Sequence, residues 1–265
     1  MLFPHGRVLV CRPNFFDVTY EINPWMSVQR TPQIERAKAQ WQMLHHTLLR
    51  LGAWLEYVEP AEGLPDMVFT ANAGLVRGNR VILSHFRYAE RQGEEPLFEK
   101  WFAAAGYEVI KLTGGFFEGQ GDALFAGERL FCGCGFRSDA DVFPEVGKLL
   151  ELAEVVVCEL VDPRFYHLDT CFCPLDANRA LYVPTAFKAE SIKCMQDKIE
   201  LFPVEAADAA RFACNAVVLG KDVILPAGCA GVEKVLKKLD FVPHPVELGE
   251  FLKGGGSAKC LTLHL

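Results

Sequence analysis

The stretch Leu75-Val76-Arg77-Gly78-Asn79-Arg80-Val81-Ile82-Leu83 shows the pattern on which the whole chain is built. Its two short apolar segments flank a Gly78-Asn79 turn, which predicts adjacent strands. A helical segment follows over residues 94–105 and a further strand over residues 107–111. This order recurs about five times, in units of about 45 to 60 residues. Such repeats are typical of a radial array of small sheets, so we predict an α/β fold of five ββαβ units.

The bulk composition narrows the class of protein. The chain has 265 residues, of which 51% are hydrophobic, and no Pro/Ser-rich linker divides it. We therefore predict a single catalytic domain over residues 1–265. The net charge is -7 and the sequence has no basic run. These features argue against a nucleic-acid partner and suit a small cationic ligand. No apolar stretch has the length of a membrane span.

The ten cysteines bear on the compartment. The first residues lack the charged-then-apolar layout of a signal peptide, so we expect reduced thiols and a cytoplasmic location. Cys132-Gly133-Cys134 and Cys171-Phe172-Cys173 have C-x-C spacing, whereas zinc sites use C-x2-C pairs. We interpret both pairs as small buried residues of strands and predict no metal site.

The segment Gly254-Gly255-Gly256-Ser257-Ala258-Lys259-Cys260 is the first candidate for chemistry. Three glycines allow backbone conformations that other residues avoid, and the apolar run that Cys260 opens predicts a short final strand. A reachable cysteine on such a turn is a candidate nucleophile. The alternative is that Cys260 merely packs, so the hypothesis requires a base elsewhere in the chain.

Polar residues in two other segments are candidates for that base. Glu118 and Asp122 lie among glycines and aromatic residues in Phe116-Phe117-Glu118-Gly119-Gln120-Gly121-Asp122. His167 and Asp169 precede an apolar strand, and alternation would direct both side chains to one face. Each segment also has a structural explanation, because Asp favours turns and a single His is often a satisfied core residue. Together with Cys260, however, a His and a Glu could form a nucleophile, a base and the group that orients it.

A third segment adds a carboxylate and an amide. Asp66 and Asn72 flank Phe69 in residues 65–76, which we predict to be a strand pair. Asp66, Asp122 and Asp169 would form a cluster of carboxylates that requires a cation. Since no His/Glu pattern has metal-site spacing, an organic cation fits better than a metal ion.

These motifs resemble the guanidine-modifying pentein superfamily, which includes arginine deiminases, dimethylarginine dimethylaminohydrolases, amidinotransferases and arginine dihydrolases. The resemblance rests on three motifs in the family's order: Phe-Glu-Gly-x-Gly-Asp ending at Asp122, His-Leu-Asp-Thr beginning at His167, and the Gly-rich segment before Cys260. It covers nearly the whole chain. The fold that it implies is a five-bladed α/β propeller of ββαβ units, in agreement with the repeat pattern.

The resemblance implies a role for each candidate residue. Cys260 would be the nucleophile, His167 the general acid and base, and Glu118 the carboxylate that completes the site. Asp66 and Asp169 would bind the guanidinium. Arg91 and Arg137 would bind the substrate's carboxylate, although either could instead be a solvated surface charge. The predicted substrate-binding residues are Asp66, Asn72, Asp169, Asp122, Arg91, Arg137, Asn23 and Phe69. The resemblance implies no cofactor and no metal.

The subfamily depends mainly on Asn72. Asn72 and the segment Tyr20-Glu21-Ile22-Asn23-Pro24-Trp25-Met26 are similar to the arginine dihydrolases, whereas the deiminases and dimethylargininases carry an acid at that position. An amide offers a donor and an acceptor, so it can hold a charged guanidinium first and a neutral ureido group second. We therefore predict conversion of arginine to ornithine, ammonia and carbon dioxide through a covalent thiouronium.

Other readings stay open at this point. The pattern is also compatible with a dimethylarginine dimethylaminohydrolase or an arginine deiminase, both of which give citrulline, and with an amidinotransferase. A non-catalytic propeller that serves as a binding module is an alternative from another class. The predicted partner is a small cationic guanidino substrate, and a homo-oligomer is compatible with the sequence.

Overall fold

The computed structural model describes residues 6–265, and the chain divides into two compact units. The first unit combines the segment up to Ala71 with Val204–Leu265, and the second is Asn72–Pro203. Over the described residues the strands form five three-stranded sheets. The predicted α/β class with five repeats is confirmed. That the units make one catalytic domain stays a prediction.

The first unit contains two of the sheets. Its strands are β1 (Arg7–Cys11), β2 (Trp54–Val58), β12 (Val217–Leu219), β13 (Asp222–Pro226), β14 (Val242–Val246) and β15 (Leu263–His264). Its helices are α1 (Ile34–Arg50), α6 (Ala206–Ala209), α7 (Ala230–Lys238) and α8 (Gly249–Leu252). The sheet orders are β15-β1-β2 and β12-β13-β14. The last strand of the chain thus completes the first sheet, with His264 opposite Val8.

The second unit contains the other three sheets. Its strands are β3 (Gly74–Arg77), β4 (Arg80–Leu83), β5 (Glu108–Ile110), β6 (Ala123–Ala126), β7 (Arg129–Cys134), β8 (Glu154–Glu159), β9 (Phe172–Pro174), β10 (Arg179–Tyr182) and β11 (Glu200–Pro203). Its helices are α2 (Ala89–Gln92), α3 (Glu95–Ala104), α4 (Phe143–Leu149) and α5 (Ala189–Gln196). The sheets are β3-β4-β5, β6-β7-β8 and β9-β10-β11.

All five sheets have the same mixed topology. In each, the middle strand pairs antiparallel with the first strand and parallel with the third. A parallel pair requires a crossover, and α1, α3, α4, α5 and α7 supply it in the five repeats. The fold is therefore a repetition of one ββαβ unit, as the spacing of short strands and helices predicts.

Helix α1 forms the largest apolar stripe of the first unit. Ala37, Trp41, Leu44 and Leu48 are buried at spacings of three and four and pack in the core of that unit. The helix begins at Ile34 after an extended Gln33, whose N–H donates to Glu250 Oε2.

Two predicted strands are tight turns. Residues 65–73 form the 3-10 turns Pro65–Val68 and Thr70–Ala73 in place of a strand pair. The final strand begins only at Leu263, and Cys260 lies in the preceding turn, where the N–H of Leu261 donates to Ser257 O. Both predictions rest on runs of apolar residues. Such a run shows that the segment is buried, and a buried segment can form a turn as well as a strand. Within residues 6–265, no helix has the length and apolarity needed to cross a bilayer.

Candidate active site

The candidate residues occupy equivalent positions in the repeats. In each sheet the first strand is preceded by a turn, and that turn carries a buried polar residue or cysteine. These residues, in repeat order, are Asn72, Glu118, His167, Asn215 and Cys260. Because the last one precedes β15, the ββαβ repeat places all five residues at the same end of a first strand.

Glu118 and His167 form a buried pair in the second unit. Oε2 of Glu118 lies 2.7 Å from Nε2 of His167, and both residues are at most 1% exposed. Nδ1 of His167 has no hydrogen-bond partner among the described residues. Since the carboxylate can hold an N–H at Nε2, Nδ1 is the nitrogen left for a proton transfer. His167 lies just before the turn Leu168–Thr170 and not in a strand. The prediction that strand alternation directs the side chains of His167 and Asp169 to one face is therefore wrong.

Arg137 stabilises the ionised form of Glu118. Its Nη1 lies 3.0 Å from Glu118 Oε2, and its guanidinium lies between the rings of Tyr88 and Tyr166, at 4.7 and 4.6 Å from their centroids. Burial alone would raise the pKa of Glu118, but Arg137 and the bond to His167 hold that pKa well below its usual range. Arg137 is 2% exposed, so the alternative of a solvated surface charge is wrong for it.

Asp122 is hydrogen-bonded to the segments that carry Glu118 and His167. Its Oδ2 accepts from Ser138 Oγ at 2.7 Å, its Oδ1 accepts from the N–H of Leu168 at 3.0 Å, and Ser138 Oγ also accepts from the N–H of Glu118 at 3.0 Å. Burial raises the pKa of Asp122 to about 6 in spite of these bonds. The residue therefore joins the segments that carry Glu118 and His167. Its predicted contact with substrate stays a prediction.

Asn72 is held by a buried ion pair. Arg91 donates from Nη1 to Asn72 Oδ1 at 2.8 Å, and its Nε and Nη2 lie 2.9 and 2.8 Å from the carboxylate of Glu94. Because Arg91 can only donate, the oxygen of the Asn72 amide faces Arg91 and the Nδ2 side faces the other way. Arg91 is also buried, so a solvated surface charge is wrong for it too.

Gly121 is required beside these side chains. A Cβ at that position would lie 2.2 Å from Asn72 Nδ2 and 3.2 Å from His167 Nδ1. Only glycine allows the turn to approach both groups so closely. The Gly-x-Gly spacing that marks this segment in the sequence therefore has a steric reason. Asp169 is fully buried in the turn Leu168–Thr170, and its predicted contact with a guanidinium stays a prediction.

Cys260 lies in the first unit, in a turn that is tied to its neighbours. Its side chain is 2% exposed, its carbonyl accepts from the N–H of Ala71 at 3.1 Å, and its N–H donates to Asn215 Oδ1 at 3.1 Å. Nδ2 of Asn215 lies 3.0 Å from Cys260 Sγ. The thiol is therefore fixed by a polar side chain, which does not fit a cysteine that merely packs.

The remaining predicted residues of the first unit are Asp66, Asn23 and Phe69, of which the last two contact the glycine segment before Cys260. Asp66 Oδ2 accepts from the hydroxyl of Tyr20 at 3.0 Å, and Asn23 Nδ2 donates to Gly254 O at 3.2 Å. The ring of Phe69 would lie 2.3 Å from a Cβ at Gly256. Phe69 thus packs against the glycine segment, which explains why that position excludes a side chain.

Sequence reasoning missed Ser138 and Asn215, and it named Tyr20 only as the first residue of the segment 20–26. A signal existed for Asn215, since it is a polar residue in Cys214-Asn215-Ala216-Val217, directly before a first strand. Comparison of the repeats by position would have found it. Ser138 follows no pattern of that kind, because it contacts Glu118 and Asp122 from a loop.

The cysteine pairs are buried, as predicted. Cys132, Cys134, Cys171 and Cys173 are at most 9% exposed, and burial raises the pKa of Cys134 to about 11. Among residues 6–265, no group of three or more His, Cys, Asp or Glu side chains is arranged to hold a metal ion.

Comparison with known proteins agrees with this description. A family model described as eukaryotic N,N-dimethylarginine dimethylhydrolase matches residues 22–265. The chain is 47% identical, over 98% of its length, to the bifunctional arginine dihydrolase/ornithine cyclodeaminase ArgZ of Synechocystis, of which it spans 37%. It is 44% identical, over 98% of its length, to the dimethylarginine dimethylaminohydrolase of Mycobacterium tuberculosis, of which it spans 85%.

Solved structures give the same result. The N-terminal domain of ArgZ, in a cysteine-to-serine variant bound to substrate, is similar with a TM-score of 0.94 and 46% identity, over 97% of both chains. A second structure of that domain, an asparagine-to-serine variant bound covalently to a reaction intermediate, has the same TM-score. The five ββαβ repeats are thus those of the pentein superfamily. Within it, the chain belongs to the N,N-dimethylarginine dimethylhydrolase family, and its arginine dihydrolase-like relatives are among the most similar.

Proposed function

We propose that the chain is a hydrolase that converts arginine to ornithine, two ammonia and carbon dioxide through a covalent bond to Cys260. The observation that carries this proposal is the Glu118–His167 pair. A buried carboxylate holds Nε2 of the imidazole while Nδ1 has no partner among the described residues. An oriented histidine of this kind can protonate a leaving amine and then deprotonate water.

The first half of the reaction breaks one C–N bond. The Cys260 thiolate adds to the guanidinium carbon, and His167 donates a proton to the ammonia that leaves, which gives a thiouronium. Water then adds to that carbon, loses a proton to His167 and displaces the thiolate, so that citrulline forms. In the roles that we propose for them, Asp66 and Asp169 bind the guanidinium through charge-assisted bonds, and Arg91 and Arg137 bind the substrate's carboxylate.

The second half repeats this chemistry on citrulline. Cys260 attacks the ureido carbon and displaces ammonia, to which His167 gives a proton, so that a thiocarbamate forms. A second water cleaves the C–S bond and releases the thiolate, and the carbamate of ornithine then loses carbon dioxide to give ornithine. Each arginine thus consumes two waters. The choice of a dihydrolase is supported by Asn72, a neutral amide whose oxygen is held by Arg91. It is also supported by the ArgZ domain that the chain matches over 97% of its length, which is described as an arginine dihydrolase. A covalent reaction intermediate is bound in a variant of that domain in which an asparagine is replaced by serine. This observation supports a role for an asparagine in the reaction of that domain.

The second candidate is a dimethylarginine dimethylaminohydrolase. It is favoured by the family model and by the Mycobacterium relative, of which the chain spans 85%. The first round of chemistry would be identical, with dimethylamine as the leaving group and citrulline as the final product. An arginine deiminase and an amidinotransferase use the same intermediate but release citrulline or pass the amidino group to an amine.

The composition of the chain supports proposals about its ligand and its cellular location. We propose a small cationic guanidino substrate as the ligand, because the chain carries a net charge of -7 and several buried carboxylates. We also propose a cytoplasmic location, in which ten thiols stay reduced, and a homo-oligomeric assembly is compatible with the fold.

Product analysis tests the proposal. The purified chain is incubated with arginine, asymmetric dimethylarginine or agmatine, with and without added glycine, and products are identified by mass spectrometry. Ornithine with two equivalents of ammonia is expected from arginine. Citrulline as the end product would replace the dihydrolase by one of the alternatives, and glycine-dependent guanidinoacetate would indicate an amidinotransferase. No turnover of any guanidine would overturn the proposal.

A further inference from the structure

The fourth repeat contributes a polar side chain that none of the motifs contains. Asn215 lies in the turn before β12, at the position where the other repeats carry Asn72, Glu118, His167 and Cys260. It is fully buried, in the same compact unit as Cys260. Burial of a primary amide is costly unless its oxygen and its nitrogen are hydrogen-bonded.

The contacts of Asn215 fix the orientation of its amide. Oδ1 lies 3.1 Å from the backbone nitrogen of Ser257 and 3.1 Å from that of Cys260. A backbone N–H only donates, so the atom that faces both must be the oxygen, and the amide cannot be turned over without the loss of two bonds. The NH2 group is thereby directed at Cys260 Sγ, at 3.0 Å.

The sulfur acquires a hydrogen-bond donor from this arrangement. Sulfur in a neutral thiol is a weak acceptor, whereas a thiolate is an anion that gains from each donor directed at it. A donor to the charged form of a buried acid favours that form. The carbonyl of Asn215 also accepts from the N–H of Lys259 at 3.3 Å, so main chain and side chain both hold the turn around the nucleophile.

We propose that Asn215 is a positioning residue that fixes the Cys260 side chain and stabilises its thiolate before substrate binds. The inference rests on the proposed role of Cys260 as the nucleophile. It adds one step to that function: the thiol can ionise with the help of a donor of the protein itself, before any guanidinium binds. A merely structural role, in which Asn215 holds the turn and leaves the ionisation of the thiol unchanged, is the competing explanation.

Two substitutions separate the explanations. Asn215→Asp keeps oxygens that can accept from Ser257 and Cys260 but removes the donor to sulfur, and Asn215→Ala removes both. The matched control is Thr262→Val, which removes hydroxyl bonds to Ala258 O and Lys259 O in the same turn and leaves the sulfur contact intact.

The readout is the pH dependence of carbamidomethylation at Cys260, measured on its peptide by mass spectrometry in the absence of substrate. A bond to a charged group corresponds to a shift of about one to two pH units. We expect the midpoint to rise by that amount in Asn215→Ala, which removes the donor without adding a charge. It should rise further in Asn215→Asp, whose carboxylate also repels the thiolate, and stay unchanged in Thr262→Val. The midpoint is used because a more basic thiolate is also intrinsically more nucleophilic, which partly compensates the rate at a single pH.

The outcomes distinguish this inference from the proposed function. Asn215→Asp with a wild-type midpoint overturns the inference, even if both variants melt at lower temperature. If the variants do not fold, the side-chain amide resonances of Asn215 in the wild-type chain provide the test. They should titrate with the alkylation midpoint and stop doing so in Cys260→Ala, and resonances that do not titrate overturn the inference. Because labelling needs no substrate, a chain that fails to hydrolyse arginine would still give this result.

Discussion

Glu118 Oε2 has two close nitrogen neighbours: it lies 2.7 Å from His167 Nε2 and 3.0 Å from Arg137 Nη1. The carboxylate therefore stays ionised in a buried position, and it directs the imidazole so that Nδ1 is the nitrogen available for proton transfer. The orientation of His167 is thus set by the charge of Glu118. That charge is in turn held by Arg137, whose guanidinium lies over the rings of Tyr88 and Tyr166.

Replacement of this carboxylate should abolish the acid–base step. Glu118→Gln keeps the size of the side chain but leaves Arg137 without its partner charge and removes the anion beside His167. We expect kcat to fall by about two to four orders of magnitude. Turnover of arginine is measured across pH 5 to 9, together with the melting temperature, because an unpaired buried arginine also destabilises the fold.

Glu145→Gln is the matched control, because Glu145 also accepts from a neighbouring backbone and hydroxyl, those of Thr113, but lies apart from His167 in sequence and contacts. It should keep wild-type turnover. A Glu118→Gln chain that is folded and turns over arginine at more than a tenth of the wild-type rate would remove Glu118 from the mechanism.

Replacement of Cys260, the proposed nucleophile, should separate binding from turnover. Cys260→Ser keeps the shape of the turn, but a hydroxyl is far less acidic than a thiol and would not ionise near neutral pH. We expect loss of nearly all turnover with retained binding of arginine, measured by calorimetry. Cys194→Ser, at an exposed position, is the control and should behave as wild type. Substantial product from the Cys260→Ser chain would exclude covalent catalysis by this residue.

The repeat pattern and the chemistry-bearing residues could be predicted from the sequence, for different reasons. The ββαβ repeat leaves a local trace in strands, turns and the stripe of α1. Cys260, His167 and Glu118 are visible because polar residues among glycines and aromatics break the expected pattern. The apolar residues over 65–73 and after Cys260 predict strands where the structure has turns, because apolar composition reports burial and not backbone conformation.

What the sequence could not give is the partner of each charge. Arg91 binds Glu94 three residues away, but Arg137 binds Glu118 nineteen residues earlier and Asp122 joins Ser138 sixteen residues later. Such pairs depend on how successive turns lie side by side, and no local pattern records that. For Asn215, the sequence can predict the position, because a polar residue or a cysteine precedes the first strand in each repeat. It cannot predict the contact with the sulfur of Cys260.

Asn72 should decide how far the reaction proceeds. In Asn72→Asp a second carboxylate would face Arg91 beside Glu94, and the substrate would meet an anion in place of a neutral amide. An anion favours a guanidinium and disfavours a neutral ureido group, so we expect the reaction to stop at citrulline. The ratio of citrulline to ornithine is measured by mass spectrometry in single-turnover and steady-state reactions.

Asn178→Asp introduces the same charge at an exposed turn and should leave the product ratio unchanged. Ornithine as the main product of Asn72→Asp would show that the amide is not the reason for the second round, and the choice of a dihydrolase would then lose its physical basis.

Gly256 should not tolerate a methyl group. In Gly256→Ala the new Cβ would lie 2.3 Å from the Phe69 ring, so the ring or the turn must move. Overpacking of this kind costs about 1 to 3 kcal/mol in the free energy of unfolding. Urea unfolding measures that loss, and carbamidomethylation of Cys260 reports whether the nucleophile turn is displaced.

Gly249→Ala is the control in the same unit, because a Cβ there meets nothing within 4 Å. It should be neutral or slightly stabilising. The double variant Gly256→Ala with Phe69→Leu should recover part of the loss, since the smaller side chain leaves room for the methyl group. If the losses in the free energy of unfolding of the two single variants add up in the double variant, Phe69 is not the residue that excludes a side chain at Gly256.

Asp122 should make stability fall as pH rises. Burial raises its pKa in the folded chain to about 6, above the ordinary value of 3.8, so between these values the folded state binds more proton than the unfolded state. The free energy of unfolding then decreases with rising pH, by about 3 kcal/mol in total for a shift of about two units. Glu118 acts in the opposite sense, because its lowered pKa adds stability above the unfolded value that is lost on acidification.

The two contributions can be separated with Asp122→Asn. Urea unfolding of both chains is followed from pH 4 to pH 7. The stability of wild type relative to the variant should decrease as pH rises through 6, because only wild type must ionise a buried carboxyl. Glu128→Gln, at an exposed carboxylate paired with Arg77, serves as the control and should run parallel to wild type. Asp122 accepts three hydrogen bonds, from the hydroxyl and the N–H of Ser138 and from the N–H of Leu168. If the difference between wild type and Asp122→Asn is constant over this range, these bonds outweigh the burial of Asp122, and the residue is ionised throughout.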